Sequence, residues 1–234
     1  MEKLYELICS SDNIVFFGGA GVSTESGIPD FRSRDGLYSL NYKYPPETIL
    51  SYSFFVKQPG EFFRFYRDKL IHINAKPNQA HVTLAKLEKQ CKLKAIITQN
   101  IDGLHQIAGS KNVVELHGSI RRNFCMKCRK PYPLEFIMQT ANIPLCECGG
   151  MVKPDIVLFE ENLDEKALRD TVKYISAADM LIIGGTSLQV YPAAGLVDYY
   201  TGDKLVVINK EETYASGMAD LAIHGSIGEV MGGI

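Results

Sequence analysis

Short unbroken apolar runs alternate along this chain with longer stretches whose apolar residues recur every three or four positions. The runs Asn13–Phe17 (NIVFF), Lys94–Thr98 (KAIIT), Val113–Leu116 (VVEL), Asp179–Ile183 (DMLII) and Lys204–Ile208 (KLVVI) are too short for helices and mostly β-branched or aromatic. They predict buried strands, with Leu221–His224 a last short one. Helical spacing lies between them. It covers Lys3–Ser11, Pro77–Cys91 with Ala80, Leu84 and Leu87 inward, Asp164–Ser176 with Ala167, Leu168, Val172 and Ile175 inward, and a stretch from Pro192. Strands alternating with helices predict a doubly wound α/β fold around a parallel, Rossmann-like sheet, with ligand groups at the strand C-termini. Asp35–Ile73 breaks the pattern: it is rich in Tyr and Phe, carries Pro45, Pro46 and Pro59, and contains no clear strand. Within it Glu61–Ile71 has helical spacing at Phe62, Phe65, Tyr66 and Leu70, so an inserted helical module is expected. No repeat, low-complexity tract or flexible linker interrupts the chain.

The polar residues that follow the strands carry the candidate chemistry. After Asn13–Phe17 the chain turns through Gly18, Gly19 and Gly21, where missing side chains let backbone approach a ligand. Ser23 and Thr24 are placed to cap a helix starting there, leaving its first amides for a phosphate. The usual dinucleotide fingerprint is not met, because Thr24 stands where its third glycine belongs and Glu47, the acidic residue about twenty positions on, precedes no identifiable strand. The loop continues as Gly27-Ile28-Pro29-Asp30-Phe31-Arg32, an unusual mixture for a mere connection. Gln99–Gly103 follows Lys94–Thr98, a second glycine turn (Gly184–Ser187) follows Asp179–Ile183, and Asn209 ends Lys204–Ile208. All of these groups are expected to converge on one dinucleotide. His117, directly after Val113–Leu116, is the histidine best placed to act as a base. His81 is expected to cap or pack, His72 and His224 to be structural, and His105 to pack behind the site.

Composition narrows the class. Net charge is −2 and the sequence pI about 6.2, so no general attraction to nucleic acid or anionic lipid is expected. The N-terminus is amphipathic and partly acidic rather than a signal sequence, and no apolar run reaches the ~20 residues of a membrane span. A soluble cytoplasmic protein that partners neither membrane nor nucleic acid is the expectation. Of six cysteines, Cys9 and Cys91 sit in helical patterns as small hydrophobes. Cys125, Cys128, Cys146 and Cys148 are bunched as C-x2-C and, 17 residues later, C-x-C. Such paired knuckles fit one tetrahedral zinc with no open position, hence a structural ion. Gly149 and Gly150 follow the shorter pair and can absorb its tight turn.

The blocks GAGVS…SGIPDFRS (within Gly18–Ser33), TQNIDGLH (Thr98–His105), ELHG (Glu115–Gly118), GTSLQVYP (Gly185–Pro192) and VIN (Val207–Asn209) resemble, in order, those of the sirtuins, the NAD-dependent protein-lysine deacylases. The resemblance implies NAD across the strand ends. Its cofactor-binding residues would be Ala20, Gly21, Thr24, Asp30, Phe31, Arg32, Gln99, Asn100, Ile101, Asp102, His117, Gly185, Thr186, Ser187, Asn209 and Ile227. Asn100, Asp102 and His117 would be catalytic, and Phe31 would shield the reacting carbon from water. The implied reaction is acyl transfer. The acyl-lysine oxygen attacks C1′ of the nicotinamide ribose, nicotinamide leaves, and His117 takes a ribose hydroxyl proton, giving free lysine and O-acyl-ADP-ribose. Residues 1–34, 75–118 and 154–234 would form the NAD-binding domain, with 35–74 the helical module and 119–153 the zinc module.

The resemblance also implies that the extended stretch Pro154–Phe159 lies beside the acyl-lysine peptide, through Val157 and Phe159, and that Val190, Phe63 and Tyr66 are further substrate-binding residues. Aligning Glu61-Phe62-Phe63 with the helical motif of succinyl- and malonyl-preferring sirtuins puts Phe63 and Tyr66 where those carry Tyr and Arg. Without that Arg, neutral acyl groups, acetyl first, are expected, although Arg64 and Arg67 stand nearby. One departure touches the peptide cleft. The family's Phe-Gly-Glu is Phe159-Glu160-Glu161 here, which removes backbone freedom and adds a charge that would favour basic flanking residues. A monomer acting on acetylated lysines of proteins is the leading expectation. Other acyl groups, mono-ADP-ribosyl transfer, an NAD-dependent oxidoreductase and a zinc-knuckle nucleic-acid-binding protein are the alternatives.

Overall fold

The computed structural model describes residues 1–39 and 42–234. Among the described residues nine strands form two sheets: β1 Ile14–Gly18, β2 Leu93–Thr98, β3 Val113–Glu115, β4 Gly118–Cys125, β5 Pro131–Pro133, β6 Val152–Ile156, β7 Met180–Gly184, β8 Leu205–Asn209 and β9 Leu221–His224. The larger sheet has the order β3-β2-β1-β7-β8-β9 and every pairing in it is parallel. The apolar runs thus became strands close to their expected bounds, and the fold is the doubly wound α/β sheet that the alternation implied. Alternate residues of β1 serve the two faces. Ile14 and Phe16 pack with α1 (Glu2–Cys9) and with Ala80, Leu84 and Leu87 of the long helix after the insertion. Val15 and Phe17 pack on the other side with Ile175 and with Ala193–Val197. Burying both faces of a parallel sheet explains why its strands carry almost no polar residue.

Strand order reverses between β1 and β7, and their C-terminal residues Gly18 and Gly184 are paired in register. That reversal opens a crevice at the strand ends, where doubly wound sheets bind ligands.

The insertion holds α2 (Pro46–Ile49), α3 (Tyr52–Lys57) and α4 (Pro59–Phe65). The expected single helix over Glu61–Ile71 is instead α4 continued by a π-turn, Tyr66–Leu70, which keeps Phe62, Phe65, Tyr66 and Leu70 buried. The chain returns through α5 (Gln79–Lys89), where the Asn78 side chain and His81 form a reciprocal cap, and the short α6 (Leu104–Ile107). α7 (Leu134–Gln139) packs by the small antiparallel sheet β5-β4-β6. Aromatics of the insertion and residues of the cysteine segment share one core: Phe55, Phe62, Phe63 and Tyr66 cluster with Cys125, Ile137, Cys146 and Val152. α8 (Glu165–Ala177), capped by the Asp164 side chain on Ala167 N, and α9 (Ile227–Gly232) complete the layers.

Two expected helices are not α-helical. After β1 the chain makes two 3-10 turns, Ala20–Val22 and Thr24–Ser26. Ser23 and Thr24 make no side-chain cap: the Ser23 oxygen accepts from Asn100 Nδ2 while its hydroxyl donates to Asp102, and the Thr24 hydroxyl donates to the Gly21 carbonyl. The Gly21 N–H is committed to β7's turn, and Pro29 disfavours helix at Ile28. The stretch from Pro192 is likewise a 3-10 helix, Ala193–Tyr199.

Candidate active site

The two glycine turns meet at the switch point. Gly19 N donates to Gly184 O (3.3 Å) and Gly21 N to Gly185 O (2.8 Å). A Cβ on Gly21 would stand 2.8 Å from Gly185 Cα, so the crossing itself demands glycine. Gln99 spans the crevice floor: its backbone N–H bonds Gly18 O (3.0 Å) and its side chain donates to Thr186 Oγ1 (3.1 Å).

Beside this crossing a polar chain is built around a residue that the sequence reading used only as a cap. Asn100 Nδ2 donates to Ser23 Oγ (3.1 Å), whose hydroxyl donates to Asp102 Oδ2 (2.7 Å). Asp102 Oδ1 accepts from Leu104 N (2.8 Å) at the start of α6. Ser23 and Asn100 are buried, so this relay orients the Asn100 amide and the Asp102 carboxylate in a fixed pair. Only its position three residues after Ala20, in the glycine turn, could have flagged Ser23 from sequence.

His117 follows β3 and is half-buried. Its Nδ1 lies 3.0 Å from Gln99 O, and a carbonyl can only accept, so Nδ1 carries the proton and Nε2 is left as the acceptor. Burial lowers the pKa of His117 below the usual imidazole value, opposed by that carbonyl bond. The ring is therefore neutral at pH 7 and able to take a proton at Nε2.

His81 on α5 and His105 on α6 are buried, with ring centroids 4.7 Å apart. Burial pushes His81 down to about 4 and His105 down to about 3, the latter also repelled by His81. Both folded values are below the unfolded 6.5, so the unfolded chain binds more protons on acidification. Stability is whole above pH 6.5 and falls as the pH drops toward the folded values, by about 2–3 kcal/mol per ring at pH 4.5. Urea unfolding at pH 7.5 and 4.5 should show this loss, and His105→Leu should remove about half of it. An equal pH dependence in the variant would refute this origin.

The structure brings together Gly21, Gln99, Asn100, Asp102, His117, Gly185 and Thr186 through the bonds above, with Ala20 between Gly19 and Gly21 in the first crossed turn. Asp30 organises the loop: its Oδ1 accepts from Arg32 N (3.0 Å) and Ser33 N (2.8 Å). Phe31 packs edge-on against Tyr38 and toward the insertion core with Ile101, while Arg32 is exposed over the Tyr38 ring. Asn209 ends β8, its amide bonded to Glu211 O, and Ser187 and Val190 are half-buried after β7. Ile227 is buried beneath the crevice, where a Cβ on Gly184 would overlap it. Val157 is joined to the site directly, its N–H bonding His117 O (3.0 Å).

Phe63 and Tyr66 are fully buried in the insertion core, with Phe62 stacked on Tyr66 at 5.7 Å. Neither neighbouring guanidinium is free: Arg67 donates to the carbonyls of Ile137 and Asn142, and Arg64 pairs with Glu61 (2.9 Å) on the surface. Glu160, whose charge was expected at the peptide cleft, is exposed beside the cavity that Val157 also lines. It keeps the left-handed backbone a glycine would favour, at φ 76°, and its carboxylate turns to Ser53.

The four clustered cysteines form the second site. All four Sγ atoms lie within 4.8 Å of one another, with Cys125–Cys148 at 3.5 Å and Cys128–Cys146 at 3.6 Å. Zinc with ~2.3 Å bonds to sulfur requires tetrahedral edges of about 3.8 Å, so the set fits that ion and is far from disulfide distance. Gly149 closes the C-x-C turn at φ 77°, and Gly150 passes so near that a Cβ would stand 2.6 Å from Cys125 Sγ. Those two residues absorb the tight knuckle, as the sequence suggested.

The family model "Sir2 family" matches residues 19–192. A relative from Clostridium perfringens (strain 13 / Type A), named NAD-dependent protein deacetylase, is 60% identical over 236 residues, covering 99% of this chain and 97% of its own length. A solved structure described as Sir2 with p53 peptide and NAD+ has a TM-score of 0.87 and 41% identity, covering 99% and 95%. One of a Sir2 variant with deacetylated p53 peptide and 3′-O-acetyl ADP ribose has a TM-score of 0.91, again at 41% identity and covering 99% and 95%. The crossed glycine turns, the relay through Ser23 and the imidazole on the Gln99 carbonyl all fall within the matched region, and this chain belongs to the Sir2 family.

Proposed function

We propose that this protein is an NAD-dependent protein-lysine deacetylase that transfers the acetyl group to ADP-ribose and releases nicotinamide and O-acetyl-ADP-ribose. The observation that carries the reading is His117, held by Gln99 O with Nε2 as its acceptor, next to Asn100 and Asp102 at the switch point. The Clostridium perfringens relative's name and the peptide, NAD and acetyl-ADP-ribose complexes of the neighbouring structures support it.

NAD, as co-substrate, supplies the activated ribose carbon and the hydroxyl that receives the acyl group. The chain's own residues do the rest. Ala20, Gly21, Thr24, Gly185 and Thr186 hold the dinucleotide against the crossed turns, with Asp30 shaping the loop that carries Phe31 and Arg32. Gln99 and Ile101 flank Asn100 and Asp102, which place ribose and carboxamide, while Ser187, Asn209 and Ile227 serve the adenosine half. His117 accepts the ribose hydroxyl proton at Nε2, so that this oxygen attacks the acyl carbon; one water then supplies the remaining ester oxygen, and the lysine amine leaves with the protons. Val157, Phe159 and Val190 line the peptide, and the four cysteines hold a structural zinc. With Phe63 and Tyr66 in an apolar core and Arg64 and Arg67 engaged elsewhere, acidic acyl groups find no partner, so acetyl is the substrate. A cytoplasmic monomer is part of the same reading, supported by the near-neutral charge and by the fit of the clustered cysteines to a metal.

The test is mass spectrometry of acetyl- and succinyl-lysine peptides with and without NAD. Acetyl loss that needs NAD and yields nicotinamide and O-acetyl-ADP-ribose is expected, with succinyl loss at least tenfold slower. Intact NAD with every peptide would refute the reading.

A further inference from the structure

The segment that leaves β6 is clamped at both ends. On one side buried Lys153 pairs with Glu161 (2.9 Å) and donates to Ile156 O (2.8 Å), while Glu161 accepts from Leu158 N (2.8 Å). On the other, Phe159 N bonds Leu50 O (2.9 Å) and Phe159 O accepts from Tyr52 N (3.0 Å). Glu160 adds two bonds to this second clamp: Oε2 accepts from Ser53 N (2.8 Å) and Oε1 from the Ser53 hydroxyl (2.9 Å). The first-turn amides of α3 are thereby shared, Tyr52 and Ser53 to the segment and Phe54 to its own cap Ser51. Between the clamps Val157 N holds His117 O, and Phe159 is 41% exposed.

We propose that Glu160 is a positioning residue for the acyl-lysine peptide, fastening the Val157–Phe159 edge to α3 through Ser53. The inference rests on the deacetylase reading above. Glu160 adopts a left-handed backbone at φ 76°, which a side chain disfavours, so its carboxylate offsets a strain that glycine would not have. A mere structural filler and a tether therefore part company on substitution. Glu160→Gly relieves the backbone and breaks the tether. Glu160→Ala breaks the tether and keeps the strain. The segment meets His117 only at its backbone, through Val157 N, while the ring is held by Gln99 O, so the chemical step is expected to change little in either.

The experiment measures acetyl-peptide and NAD kinetics, melting temperature and amide exchange for wild type, Glu160→Gly, Glu160→Ala and Ser53→Ala. Peptide KM is expected to rise about fivefold in both Glu160 variants and about twofold in Ser53→Ala, with kcat and the KM for NAD within twofold. Tm should fall by about 3 °C in Glu160→Ala only, while exchange at Leu158–Glu161 quickens in both Glu160 variants. Active variants with an unmoved peptide KM overturn the tether, as does a KM that tracks Tm rather than the loss of the carboxylate. A wild type that leaves the acetyl peptide intact defeats the deacetylase reading instead.

Discussion

Replacing His117 by alanine is expected to lower NAD-dependent deacetylation about a thousandfold while leaving the melting temperature nearly unchanged. A positioned general base contributes roughly 10²–10⁴-fold, and this ring has one tautomer available, because Nδ1 is bound to a carbonyl that can only accept. The fold loses little, since the ring is half-buried and makes a single hydrogen bond, to the Gln99 backbone oxygen. Single-turnover mass spectrometry of acetyl peptide with NAD reads the effect. A variant within tenfold of wild type would remove His117 from the chemistry. The pH profile supplies an independent check. Burial lowers the His117 pKa, so the neutral form persists further into acid than a free imidazole would. Activity should be flat from pH 8 to 7 and fall only below about 6.5; a limb above that value would mean another group controls the rate.

The other large effect concerns the four cysteines. Cys128→Ser, or chelation of the wild type, is expected to unfold the cysteine segment and abolish activity without touching a residue at the strand ends. Structural zinc sites contribute on the order of 10 kcal/mol in small metal-dependent domains, against a total stability of about 5–15 kcal/mol for a typical domain. Cys125 and Cys146 also belong to the core that holds Phe55, Phe62 and Phe63. Damage to the knuckles should therefore spread to the helical insertion. Zinc analysis should give one ion per chain, and calorimetry of Cys128→Ser should show an early transition. An unchanged melting curve at full loss of zinc would make the ion dispensable.

How much of this was legible beforehand depended on the kind of signal. The strands were legible because parallel strands buried on both faces must be apolar throughout, as β1 and β7 are. The polar groups after them were legible because every strand C-terminus of a doubly wound sheet faces the same crevice. The shape of the turn after β1 was not. Local propensity favoured a capped helix, but Ser23 and Gly21 are used by Asp102 and Gly185, partners far away in sequence. The fate of the Glu160 carboxylate was hidden for the same reason: its partner Ser53 lies in the insertion. The shared core of the insertion and the cysteine segment was hidden too, since spacing within either shows only that it has an apolar face.

That shared core has a consequence for how the molecule comes into being. The aromatic helices around Phe55, Phe62 and Tyr66 leave the ribosome first, yet the other half of their packing, Ile137, Cys146 and Val152, is made much later. Until then β2, α5 and β3 are also being laid down, and the aromatic face stands without its cover. Contacts so distant in sequence are slow to form and leave sticky surface exposed meanwhile. Arrival of the cysteine segment therefore sets the pace at which this shared core can close, and a cell short of zinc would meet this protein first as an aggregation-prone nascent chain.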